Sequence, residues 1–164
     1  QSHERCSVVE VMGRHAGYLA LYVGMAVGAT AVLVPEEMFD FEAHVAEKIR
    51  RARLGGKTNF MIVVAEGAAS AVEVGRQIQE ELGLDPRVTI LGHIQRGGSP
   101  TAKDRVMATR MGYEAVHLLA AGKTNRVVCA RGDSIVDVDI NDGLAMHKTL
   151  NSEEYEVMEA MTGI

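Results

Sequence analysis

The stretch NFMIVVAEG, from Asn59 to Gly67, constrains the fold more than any other. Its apolar run from Phe60 to Ala65 is unbroken, with no polar residue on either face of an extended chain. A strand with one wet face would alternate. A strand buried on both faces reads like this, and such strands belong to parallel sheets covered by helices.

The rest of the chain follows that theme. CSVVEVM (6–12) reads as a strand. GRHAGYLALYVGMAVG reads as a Gly-led loop and then a helix apolar nearly all round, hence buried. AVLVP (31–35) is a second strand, and Asp40 is placed to cap a helix that runs to about Leu54 and stops at Gly55-Gly56. After the strand at 59–67, a helix is predicted over 70–82, ending at Gly83, then a strand RVTIL at 87–91. Ser99 with Pro100 behind it predicts the start of a long helix whose stripe includes Met111, Ala115 and Leu118. Strands are expected at RVVCA (126–130) and SIVDVDI (134–140), and a helix from about 152. Strands alternating with helices make the class α/β with a mainly parallel sheet.

Ala16 to Pro35 carries no charge and contains a GxxxG at Gly24 and Gly28, the length of a membrane helix. Gly28-Ala29-Thr30 breaks it, and its second half turns β-branched, so a buried helix followed by a buried strand is expected instead. The net charge of −5 argues against nucleic acid held by bulk electrostatics. The one basic run, KIRRAR (48–53), sits on a helical pattern and reads as a solvated face. Cys6 and Cys129 lie in apolar runs without metal-ligand spacing, which suits buried thiols in a reducing, cytoplasmic setting. The opening QSHER shows neither a signal peptide nor a starting Met, and a segment of a longer protein is expected.

Ligands of open parallel sheets bind at the carboxyl ends of the strands. Those ends carry MGRHAG (Met12 to Gly17), AEGAAS with Glu66, and LGHIQRGGSPTAKDR with His93 and Arg96. Arg14, His93 and Arg96 are anion partners, Glu66 suits a sugar hydroxyl, and glycines and helix starts offer N–H groups. That combination points to a small phosphorylated polyol. A metal cage fits less well, because spacing such as HExxH is missing. His3, His15, His44, His117 and His147 have no partners in the pattern and are given no role.

SHERCSVVEVMGRHAG, IVVAEG and RVTILGHIQRGGSPTAKDR resemble, in order and spacing, the carboxy-terminal half of bacterial-type 6-phosphofructokinases. The resemblance implies a three-layer, Rossmann-like substrate domain over 1–95. It implies that residues 96–164 pack on the donor-binding half of the family. It also implies an enzyme that transfers a phosphoryl group from ATP to O1 of fructose 6-phosphate. By position, Met12, Gly13, Arg14, Glu66, His93 and Arg96 would bind that substrate. Arg5 and Arg87 match arginines that the family donates to the neighbouring subunit's substrate, in what is usually a homotetramer.

The family's nucleotide loop, its Mg2+ site and its catalytic aspartate lie in the other half, and no GTIDND-like segment occurs here. No catalytic residue is therefore expected in this chain, and the chain alone is expected to be inactive. Where well-known members place a Glu and a basic cluster for an effector, this chain has Thr30, Gly55, Lys57, Thr58 and Asn59, which implies weak or no response to ADP. PEEMFDFE is closer to members that include pyrophosphate-dependent enzymes. The pyrophosphate-using enzyme and a non-catalytic sugar-phosphate-binding module remain the alternatives; no nucleic acid or membrane partner is expected.

Overall fold

The computed structural model describes residues 4–147 and 149–162. Ser2 and His3, at the start of the first matching motif, lie outside them.

The sheet forms as the apolar run dictates. Strands β1 (Arg5–Val11), β2 (Ala31–Leu33), β3 (Asn59–Ala65) and β4 (Pro86–Ile90) are all parallel, in the order β2-β3-β1-β4. Val8 lies between Ile62 on β3 and Val88 on β4, which fixes the register. Both faces of β3 are covered. Phe60, Ile62 and Val64 pack on one side with Val45 and Ile49 and with Val74 and Ile78 of α3 (Ala71–Leu82). Val63 and Ala65 pack on the other with Ala20 and Leu21 of α1 (Tyr18–Val27). Each buried aliphatic side chain contributes about 1.5–3 kcal/mol relative to exposure. The expected three layers follow from this.

Helix α1 approaches the sheet closely because Gly24 has no side chain: a Cβ there would sit 2.2 Å from Val32 Cγ2. The apolar stretch 16–35 therefore divides into a helix of 10 residues and strand β2. None of the helices among the described residues is long and apolar enough to cross a membrane.

On the opposite face, Asp40 does cap the next helix, its Oδ1 accepting from the N–H of Ala43 at 2.9 Å. The first turns, Glu42–Ala46, wind as a π-helix before α2 (Glu47–Leu54). Ser70 caps α3, and its hydroxyl accepts from the N–H of Glu73 at 3.5 Å. Strand β4 is the thinly covered edge, with Val88 and Ile90 exposed.

The described chain divides after Gly97. Residues from Thr149 do not group with the preceding segment but return to the first unit. The reason is α6 (Ser152–Thr162), whose Met158 is only 1% exposed within the α1 core. Polar contacts fasten it: Tyr155 donates to Glu37 at 2.6 Å, Tyr22 donates to Glu154 at 3.1 Å, and Lys48 pairs with Glu159 at 2.5 Å.

The second unit holds α4 (Ala102–Ala120), the antiparallel hairpin β5 (Arg126–Arg131) and β6 (Ser134–Asp139), and α5 (Ile140–Ala145). Its helix starts later than Ser99-Pro100 predicts. Thr101 is the cap, in a reciprocal pair with Asp104: Asp104 accepts from the Thr101 N–H at 2.8 Å, and the Thr101 hydroxyl accepts from the Asp104 N–H at 3.3 Å. Two bonds outweigh the single serine cap that the sequence reading assumed. The hydrogen bond from the Thr101 N–H holds the Asp104 carboxyl below its ordinary range.

Candidate functional site

Because the strands are parallel, β1, β3 and β4 deliver their following loops to one end of the sheet. Met12, Gly13 and Arg14 follow β1, Glu66 follows β3, and the turn Gly92–Gln95 followed by Arg96 continues β4. Backbone bonds knit the first two loops: the N–H of Glu66 donates to Val11 O at 2.9 Å and that of Gly67 to Gly13 O at 3.2 Å. Gly67 is required for that approach, since a Cβ would lie 1.9 Å from the carbonyl oxygen of Arg14. Glu66 Oε1 also faces the N–H of Gly13 at 3.5 Å.

The third loop is tied to the first by a side chain that sequence reading passed over. Gln95 Oε1 accepts from the N–H of Met12 at 2.7 Å. Gln95 lies inside the quoted motif, between His93 and Arg96, but its partner is 83 residues away. No local pattern announces such a bond.

Arg14, Glu66, His93 and Arg96 are all exposed at this end. The side chains of Arg14, His93 and Arg96 make no hydrogen bond or ion pair with other described residues. Three unpaired donors beside a carboxylate can accept an anionic group and orient hydroxyls around it.

The helix starts contribute less than expected. The N–H of Gly17, ahead of α1, is taken by both carboxylate oxygens of Glu36, at 2.9 and 3.1 Å. The N–H of Ala71, at the start of α3, is taken by Glu10 Oε2 at 3.0 Å. Internal carboxylates thus satisfy these positions.

Arg5 and Arg87 are not part of this cluster. They occupy the amino end of the sheet, Arg5 opening β1 and Arg87 paired with Ser7. The length of β1 separates Arg5 from the carboxyl-end loops by about 20 Å. Both arginines are exposed, and neither side chain is paired with a described residue. Within the second unit, a cavity of about 550 Å³ is lined by Arg110, Tyr113 and Asp133. Beside Arg5 is a smaller one of about 340 Å³, lined by Ser7, Val27, Asn59 and Met61.

Other candidates resolve simply. The KIRRAR run is neutralised, with Arg50 paired to Glu42, Arg51 to Glu47 and Arg53 to Glu4. His44 accepts the N–H of Asp40 through Nδ1, and the ring of His117 packs tilted against that of Tyr113, centroids 4.4 Å apart. Thr30 is buried, its hydroxyl accepting the N–H of Met61 at 3.2 Å. Burial pushes the Cys6 thiol up to about 11. Among the described residues no group of three or more His, Cys, Asp or Glu side chains could hold a metal ion.

Comparison with known proteins gives a consistent result. A profile described as Phosphofructokinase matches residues 1–119. The chain is 48% identical over 161 residues to an ATP-dependent 6-phosphofructokinase of Bacillus thuringiensis (strain Al Hakam), covering 98% of this chain and 50% of that protein. The like-named protein of Bacillus cereus (strain AH187) matches to the same extent. The chain thus spans about half the length of the curated relatives it matches. Among solved structures, phosphofructokinase from Saccharomyces cerevisiae superposes with a TM-score of 0.80 at 33% identity, over 98% of this chain and 22% of that one. A pyrophosphate-dependent phosphofructokinase from Marinobacter aquaeolei gives 0.77 at 24% identity, over 92% of this chain and 43% of that one, a likeness of fold alone.

Proposed function

The chain belongs to the phosphofructokinase family, and from that premise we propose that it forms the half that holds fructose 6-phosphate in an ATP-dependent 6-phosphofructokinase. The observation that carries the reading is the grouping of unpaired Arg14, His93 and Arg96 with Glu66 on the loops at one end of a parallel sheet.

In this reading His93 and Arg96 hold the phosphate region of the sugar, Met12, Gly13 and Arg14 line the sugar and the reacting end, and Glu66 accepts from a sugar hydroxyl. Charge-assisted bonds of this kind are the strong ones. Arg5 and Arg87 serve the substrate of a neighbouring subunit in a homotetramer, since they lie too far from their own chain's loops to serve it. The family's amino-terminal half supplies the ATP site, the metal and the aspartate base.

The reaction joins O1 of the sugar to the γ-phosphorus of ATP while the bond from that phosphorus to the β-phosphate oxygen breaks and ADP leaves. The hydroxyl proton passes to the aspartate. Charge neutralisation by Mg2+ would belong to that other half; the described residues of this chain offer no set that fits it. This chain's contribution is to fix the acceptor and screen its phosphate. The 164 residues alone are expected to bind but not to transfer, and a cytoplasmic location suits a glycolytic enzyme.

A steady-state assay of the full chain, meaning these 164 residues together with the amino-terminal half that carries the donor site, tests the proposal with fructose 6-phosphate. Fructose 1,6-bisphosphate formed with ATP supports it. Turnover with pyrophosphate only would shift the reading to the other branch of the family. No turnover with either donor, in a folded tetramer, would leave a sugar-phosphate-binding module.

A further inference from the structure

We propose that Gln95 is a positioning residue: its side chain locks the loop carrying His93 and Arg96 onto the loop carrying Met12, Gly13 and Arg14. The inference rests on the substrate site proposed above and adds a residue that does not itself contact substrate.

The reason lies in how the β1–β4 ladder ends. Its last rung is the N–H of Leu91 donating to Glu10 O at 3.1 Å. A parallel ladder continued by one step would present a β4 carbonyl to the N–H of Met12. The chain instead leaves the sheet at Gly92 and folds into the tight turn Gly92–Gln95. That departure exposes His93 and Arg96, and it would leave the Met12 N–H without its strand partner. The side chain of Gln95 returns to supply the missing acceptor, Oε1 to Met12 N at 2.7 Å. Both groups are half-buried, so the bond is partly shielded from water.

Gln95 stands two residues from His93 and one from Arg96, and Met12 stands two from Arg14. One hydrogen bond therefore sets the spacing between the cationic groups of two loops. On the other side of Met12 and Gly13, Glu66 and Gly67 hold the same loop to β3. The β1 loop is thus fixed from both neighbours, and only the β4 side depends on a single side chain.

The test uses Gln95→Met, close in size but without an acceptor, and Gln95→Glu, which keeps one, both in the full chain. Gln95→Met should raise the KM for fructose 6-phosphate about tenfold. The KM for ATP should stay unchanged, and hydrogen exchange at the Met12 amide should accelerate. Gln95→Glu should keep the Met12 amide slow. Unchanged Met12 exchange in Gln95→Met would overturn the proposal. So would a fall in Tm with both KM values moving together, the mark of a merely structural role. Failure of the underlying site reading shows separately, as an Arg96→Ala enzyme with an unaltered KM for fructose 6-phosphate; the Met12 exchange result does not depend on it.

Discussion

Arg5 and Arg87 leave the same face of the sheet at its amino end, because Arg87 pairs with Ser7, two residues along β1 from Arg5. They form a pair of unpaired cations on the far side of the sheet's length from His93 and Arg96. One chain cannot bring both sets to one sugar phosphate.

Subunit mixing tests this separation. In a two-fold interface, an Arg87→Ala subunit keeps a good loop, and an Arg96→Ala neighbour keeps a good interface arginine. One of the two sites between them is then intact. Random mixing into tetramers should restore roughly a quarter of the sites. Hybrids no more active than either parent would show that Arg87 serves its own chain or none.

Gly67→Ala should damage the site without touching a charged group. The new Cβ would lie 1.9 Å from Arg14 O, so the loops after β1 and β3 must separate. Overpacking of this kind costs about 1–3 kcal/mol. Denaturant unfolding should register that loss, with a higher KM for fructose 6-phosphate alongside. Unaltered stability and kinetics would mean that the two loops do not touch.

Met158→Ala addresses the return of α6 to the first unit. Truncating a buried Met costs about 2–5 kcal/mol. Met38→Ala, at a position 93% exposed, should stay within about 0.5 kcal/mol of the parent. Equal unfolding midpoints for the two variants would mean that α6 is not docked.

How much of this was legible in the sequence depends on whether the controlling interaction is local. The uninterrupted run at Phe60–Ala65 announced a doubly covered strand, and Gly83 marked the end of α3. The later start of α4 was also local, in Thr101 and Asp104, but Ser99-Pro100 offered a competing signal two residues earlier. Gln95–Met12, Glu10–Ala71 and Glu36–Gly17 were not legible, since each joins separate elements across the sheet end. Met158 belonged to a weak helical pattern, and its burial depends on the distant helix α1. The site's charged residues could be placed by position at strand ends. Arg5 and Arg87, at strand starts, read as surface charge until the resemblance gave them a role.

Regulation should be weak. Thr30 is buried and bonded to the Met61 N–H, and Gly55 ends α2, so neither offers a charge to an effector. A tenfold response would need about 1.4 kcal/mol of differential binding. Fructose 6-phosphate saturation curves recorded with and without ADP should overlay. Sigmoidal curves made hyperbolic by ADP would overturn this expectation.

The central claim is that the carboxyl-end loops hold fructose 6-phosphate, and Arg96→Ala in the full chain tests it most directly. One charge-assisted contact is worth about 1.5–3 kcal/mol, so the KM for fructose 6-phosphate should rise by roughly 10- to 150-fold, with the KM for ATP and the Tm unchanged. An Arg96→Ala enzyme that saturates with fructose 6-phosphate at the parental concentration would contradict the account.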